Sequence, residues 1–97
     1  MSRSLIQRRL SEVHDRLRRA REELTVIDEQ LAALADTADD ARIRSLVSET
    51  PLATREHQEA QRQADAMARS KAAVLASIAE LERTQDELLD RLVVESR

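Results

Sequence analysis

The chain has 97 residues, a formal net charge of −3, a single Pro, and no Gly, Cys, Phe, Tyr or Trp. The lack of Cys excludes disulfides and thiolate metal sites, and the lack of aromatic side chains removes the usual anchors of a globular core. Abundant Ala, Leu, Arg, Glu and Gln favour long helices. We therefore expect one helical domain spanning residues 1–97, whose small charge does not by itself imply a partner.

The first predicted element is a long helix over residues 2–35. Ser2 or Ser4 can cap it by accepting a hydrogen bond from a free backbone N–H. Apolar residues then recur in alternating steps of four and three, the heptad spacing of helices that pair along a seam. The seam residues are Ile6, Leu10, Val13, Leu17, Ala20, Leu24, Ile27, Leu31 and Leu34.

A polar cluster at residues 36–40 is predicted to end this first helix. Asp and Thr side chains compete with helical hydrogen bonds by bonding to their own backbone. Asp39 or Asp40 can then cap a short connecting helix over residues 40–48. Its apolar residues Ile43, Leu46 and Val47 are expected to shield Leu52 at the end of the hairpin.

The second long helix is predicted over residues 51–94. Thr50 is a suitable N-cap, and Pro51 suits the first helical position. A second heptad seam follows, interrupted by three polar residues that we interpret as register-setting. The seam comprises His57, Ala60, Ala64, Met67, Lys71, Val74, Ile78, Leu81, Gln85, Leu88 and Leu92, the polar members being His57, Lys71 and Gln85.

These elements predict an all-α fold, an antiparallel coiled-coil hairpin of two long helices joined by a short helix. The preferred register places Leu17 opposite Val74 and Lys71 opposite Ala20, and the alternative, one heptad away, places Ala20 opposite Ala64. Either register leaves open whether the helices pair within one chain or are swapped between two chains.

The preferred register leaves apolar residues near the end of the second helix without intrachain partners. Contiguous exposed apolar surface usually marks an interface. We therefore expect a homodimer with a four-helix arrangement over part of its length. The candidate interface residues are Leu88, Leu89, Leu92 and Val93 at that end, together with Leu75, which like Leu89 lies beside the seam and widens the apolar stripe.

An Arg-rich run in the first helix is a candidate basic face, formed by Arg8, Arg9, Arg16 and Arg19. Such a face could neutralise phosphates of a nucleic acid. The chain lacks aromatic residues that stack on bases, and acids of the facing helix are expected to neutralise part of the run. A solvated or intrachain-paired face is the preferred interpretation, so nucleic acid is not the expected partner.

The acids of the predicted break form a candidate acidic tip at Asp36, Asp39 and Asp40. Asp36, Asp39 and Ala41 stand in the order D-x-x-D-x-A. This order resembles the coiled-coil tip of transcription regulators that enter the secondary channel of RNA polymerase, and the resemblance implies acids projecting toward the polymerase active centre. That family usually carries a cysteine zinc finger, whereas this chain has no Cys. Alternatively, Asp36 and Asp39 simply stop one helix and cap the next.

The residues show no pattern of catalytic chemistry. There is no nucleophile–base constellation, Gly-rich phosphate loop or zinc spacing, and His14 and His57 lie too far apart to share a metal. We expect no enzyme activity, cofactor, metal or small-molecule substrate. The start MSRSLIQRRL lacks the apolar region of a secretory signal, and no stretch is apolar enough for a membrane. Together with the Arg- and Ala-rich composition, this favours a bacterial cytoplasmic protein.

The preferred functional interpretation is a non-catalytic protein–protein interaction module acting as an adaptor, scaffold or regulator. One alternative is an RNA polymerase-associated regulator that acts through the acidic tip. The other is a nucleic-acid-associated factor that uses the basic face.

Overall fold

The computed structural model describes residues 2–96, and these form two long helices with no strand among them. Helix α1 spans Arg3–Ser48 and helix α2 spans Pro51–Glu95. The chain divides into two compact units. The terminal unit comprises the described residues of Met1–Leu24 and Val74–Arg97, and the turn unit comprises Thr25–Ala73. The predicted all-α class with two long helices is confirmed.

Both helices begin with the predicted caps. The backbone N–H of Leu5 donates to Ser2 Oγ over 3.2 Å, and that of Ala53 donates to Thr50 Oγ1 over 3.1 Å. Each cap satisfies one backbone donor that has no partner within the first helical turn. Pro51 is the first residue of α2, where its missing N–H costs nothing.

The predicted break at residues 36–40 and the separate short helix over 40–48 are wrong, because α1 continues through both. Leu34, Ala38, Ala41 and Ser45 continue the four–three spacing, and Ala38 and Ala41 are buried. Thr37 Oγ1 donates to the Ala33 carbonyl over 3.0 Å, so its hydroxyl is satisfied inside the helix. An interior Asp costs under ~1 kcal/mol of helix propensity, which packing of the continuing seam can offset.

The connection between the helices is the pair Glu49–Thr50. Glu49 has φ of 50°, the left-handed conformation that glycine usually supplies at a helix C-terminus. Its backbone N–H donates to the Ser45 carbonyl over 3.2 Å and so closes the last turn of α1. The turn unit is therefore a helical hairpin whose bend is built without glycine.

The terminal unit contains the main hydrophobic core. Ile6 and Leu17 are almost completely buried, and Leu88 is 3% exposed in the same cluster. The preferred register predicted that Leu88 and Leu92 have no intrachain partners. That register is wrong, because both residues pack in or against this core. Ile6 instead lines one shallow groove with Asp90 and Arg91. The other side chains packed in or around this core are Leu10, Val13, Ala20, Leu24, Val74, Ile78, Leu81 and Leu92.

The turn unit has a core built largely from alanine. Ala38, Ala41 and Ala60 form one buried cluster, and Ala53 and Ala64 are also buried. In the same unit Lys71 pairs with Asp28, whereas the preferred register placed Lys71 opposite Ala20. The physical reason for the error is the connection, because a two-residue turn lets the helices pair directly from Ala53 onward.

Candidate interaction surfaces

The candidate dimer interface on α2 is only partly available to another chain. Leu88 is buried, and Leu92 is half-buried against the same core, so the prediction of free surface at both is wrong. Leu75, Leu89 and Val93 stay about half exposed. The difference arises because the helices pair closer to the chain ends than predicted, which gives Leu88 and Leu92 intrachain partners.

The three exposed residues share one flank of α2 with acidic side chains. Leu75, Glu82, Asp86, Leu89 and Val93 are separated by three, four or seven positions, which places them along one side of a helix. Both acids are exposed and form no ion pair within the part of the chain that the structure describes. We call these five residues the acidic–apolar stripe.

Around the hairpin bend, large apolar side chains lie on the outside. Ile43 and Leu46 are more than half exposed, Leu52 is 64% exposed and Val47 is 80% exposed. The predicted shielding of Leu52 by residues of a short helix is therefore wrong. Sequence reasoning missed this surface because it placed these residues in a separate element. The sequence signal that could have predicted their exposure is that they lie outside the four–three spacing of the continuing seam.

An open groove runs along the same unit and is lined by Thr37, Ala41, Arg44, Arg55, Glu56, Glu59 and Arg62. Arg62 donates to Glu59 over 2.7 Å, and Gln63 donates to the other carboxylate oxygen over 3.5 Å. The hydrogen bond and the positive charge of Arg62 lower the pKa of the Glu59 carboxyl. Arg44 and Arg55 form no ion pair among residues 2–96, so their guanidinium groups are available in the groove.

The candidate acidic tip does not lie at a tip. Asp36, Asp39 and Asp40 are exposed, but they belong to the interior of α1. The bend lies at Glu49, roughly two and a half helical turns beyond Asp40. The structure therefore corrects the position of these acids: the acid at the actual bend is Glu49, and the exposed apolar residues Val47 and Leu52 lie on either side of it.

The four arginines of the basic face are all exposed. Arg8, Arg9, Arg16 and Arg19 form no ion pair with any acid in the described residues, so the expected neutralisation by α2 is not formed. Their nearest paired neighbour in sequence is Arg18, which contacts Glu22 on its own helix over 3.5 Å. The four arginines lie along one side of α1, and the exposed acid Glu12 stands between Arg8 and Arg16 on that side.

The three polar seam residues are half-buried. Among the described residues no polar or charged side chain is fully buried, and His57, Lys71 and Gln85 all retain partial exposure. Of the three, Lys71 has an ionic partner, Asp28. Their predicted register-setting role stays a prediction. Within the described residues no group of three or more His, Cys, Asp or Glu side chains could hold a metal ion.

Among the described residues, neither helix has a stretch long and apolar enough to cross a membrane. Comparison of the chain with protein-family models, with curated proteins and with solved structures finds no match.

Proposed function

We propose that this chain is a non-catalytic coiled-coil interaction module, an adaptor, scaffold or regulator that binds another protein through its exposed apolar side chains. The observation that carries the proposal is the distribution of side chains in the turn unit. Its buried side chains are alanines apart from Ile27, whereas Val26, Ile43, Leu46, Val47 and Leu52 are more than half exposed. Fully burying one such side chain contributes roughly 1.5–3 kcal/mol, so a partner that covers this surface gains substantially.

The proposal includes self-association into a homodimer. Leu75, Leu89 and Val93 keep about half of their surface exposed although the core beside them is complete. A short two-helix chain has a thin core and gains stability when a second copy covers such residues. We also propose a bacterial cytoplasmic setting, which the Arg- and Ala-rich composition favours.

The test is the solution mass of the whole chain measured across a range of concentrations by sedimentation equilibrium. We expect a dimer that Leu89→Asp dissociates, because the short charged side chain loses the apolar contact of Leu89 and must be desolvated in the interface. Leu5→Asp is a matched control, since Leu5 is similarly exposed but lies on α1. A wild-type mass equal to one chain at every concentration would show that the self-association proposal fails.

A second candidate function, nucleic-acid binding, is favoured by one observation. The four arginines of the basic face have no acidic partner among the described residues, although the sequence predicted one. Free guanidinium groups along one helix face can neutralise successive phosphates. Binding of a random-sequence RNA or DNA duplex should weaken steeply with salt and be lost when Arg8, Arg9, Arg16 and Arg19 are all changed to Gln. A salt-independent signal would reject this candidate.

The RNA polymerase alternative depended on acids at the end of a hairpin. Asp36 and Asp39 lie within α1 instead, so the resemblance no longer has the geometry that it required.

A further inference from the structure

We propose that the acidic–apolar stripe of one copy docks on a specific surface beside the hairpin bend of a second copy. That surface, the turn-end surface, consists of Arg44, Val47, Leu52 and Arg55. The inference rests on the proposed self-association and names the two surfaces that meet.

The turn-end surface combines apolar contact area with free positive charge. Val47 and Leu52 are 80% and 64% exposed. Arg44 is three residues before Val47, and Arg55 is three residues after Leu52, so each arginine lies beside one apolar residue on the same helix. Both arginines line one groove and neither is in an ion pair among the described residues.

The remaining charges of the groove leave it positive. Arg62 and Glu59 neutralise each other through their 2.7 Å ion pair. Glu56 is then the one remaining acid of the lining, against Arg44 and Arg55. A ligand with carboxylates beside aliphatic side chains therefore fits this surface in both charge and polarity.

The acidic–apolar stripe has the complementary chemistry. Leu75, Leu89 and Val93 supply aliphatic contact, and Glu82 and Asp86 supply carboxylates without an intrachain partner among residues 2–96. Arginine is well suited to the match, because its planar guanidinium pairs with a carboxylate through two parallel hydrogen bonds.

Charge also argues against the two simpler arrangements. Pairing stripe with stripe would bring Glu82 and Asp86 of one copy against the same acids of the other. Pairing two turn-end surfaces would bring Arg44 and Arg55 against arginines. Like charges facing each other in an interface are unfavourable and so select the mixed arrangement. Because each copy carries both surfaces, each copy can contribute the stripe to one contact and the turn-end surface to another.

The experiment measures the dissociation constant of the whole chain by analytical ultracentrifugation. Two double variants are compared. One carries both Arg44→Glu and Arg55→Glu on the turn-end surface, and the other carries both Glu82→Arg and Asp86→Arg on the acidic–apolar stripe. We expect each to weaken association about tenfold or more, since repulsion replaces attraction. The variant with all four changes should regain association to within about threefold of wild type, because the opposite charges again face each other.

All four positions are exposed, so the variants are expected to fold, which the far-ultraviolet circular dichroism of each variant checks. The inference is overturned if Leu89→Asp dissociates the assembly while neither charge reversal changes its dissociation constant. In that outcome self-association stands but uses another pairing. It is also overturned if both charge reversals weaken association and the four-change variant stays weak. A wild-type chain that is monomeric throughout would overturn the inference and the proposed self-association together.

Discussion

Lys71 Nζ lies 2.7 Å from Asp28 Oδ1, an ion pair that joins α2 to α1 within the turn unit. Lys71 occupies a half-buried seam position on α2. Asp28 directly follows the buried Ile27 and is itself exposed, so the ammonium group of Lys71 reaches an acid at the edge of the helix pair. Of the ion pairs among the described residues, the others join neighbours on one helix. The contact can therefore form only when the two helices are aligned so that Lys71 lies beside Asp28.

This pair should contribute more to alignment than to stability. Both side chains are more than a third exposed, so Asp28→Asn should lower the free energy of unfolding by less than about 1 kcal/mol. Lys71→Leu should raise it by roughly 1 kcal/mol, because an apolar residue suits a half-buried seam position better. Urea unfolding of both variants checks the two signs. A loss of several kcal/mol on Asp28→Asn would contradict our assignment of a mainly aligning role.

The Thr50 cap should have a measurable effect on stability. Thr50→Ala removes the acceptor of the Ala53 N–H and should cost about 1 kcal/mol. Thr54→Ala is the matched control, since Thr54 lies one turn later on the exposed side of α2, where Ala is the better helix former. Thermal unfolding should show a lower Tm for the first variant and an equal or higher Tm for the second. Equal effects of the two changes on Tm would show that the Thr50 cap does not stabilise α2.

The left-handed residue at the bend offers a stabilising substitution. Glu49 has φ of 50°, a conformation that strains residues with a Cβ atom but not glycine. We expect Glu49→Gly to raise the free energy of unfolding by about 0.5–1 kcal/mol, although glycine also gains freedom in the unfolded chain. The same change at Glu56, inside α2, should instead cost about 1 kcal/mol. Chemical denaturation that shows destabilisation at both positions would contradict the strain at the bend.

Adjacent leucines on α2 should separate core from surface. Leu88 is 3% exposed and Leu89 is 46% exposed. Leu88→Ala should cost roughly 2–5 kcal/mol, since it leaves a cavity in the terminal core, and Leu89→Ala should cost clearly less. Unfolding should be followed at one fixed chain concentration, because self-association adds to apparent stability. A larger loss on Leu89→Ala than on Leu88→Ala would contradict the burial of Leu88 in the terminal core.

The Glu59 carboxyl provides a test of the groove by pH titration. Arg62 lowers its pKa first through a hydrogen bond and then through its charge. The pKa is depressed in the folded chain, so any stabilisation from this pair is present above the unfolded pKa and is lost as pH falls through the folded one. NMR titration should show the Glu59 pKa rising after Arg62→Gln. Arg55→Gln is the control, since Arg55 lines the groove without pairing with Glu59, and it should change the pKa less.

Heptad spacing and cap residues were enough to predict two long helices, a first cap at Ser2 or Ser4, the cap at Thr50, and the first residue of α2. These features depend on local interactions, the hydrogen bonds of a helix end and the periodic burial of one face, which the order of residues expresses directly. The prediction of a break at residues 36–40 was wrong because it, too, considered only local interactions. Asp and Thr disfavour a helix locally, whereas Ala38 and Ala41, too small to signal burial by themselves, pack inside the turn unit.

The sequence by itself determined that the chain is helical and that it carries two seams. Only the tertiary structure decided which parts of the seams meet. A heptad pattern repeats every seven residues, so registers one heptad apart are nearly equal in pattern, and the two-residue bend at Glu49–Thr50 selects among them. That choice buries Leu88 and leaves Val47 and Leu52 exposed. The candidate surfaces therefore depend on the length of this turn, which the sequence does not mark with a glycine.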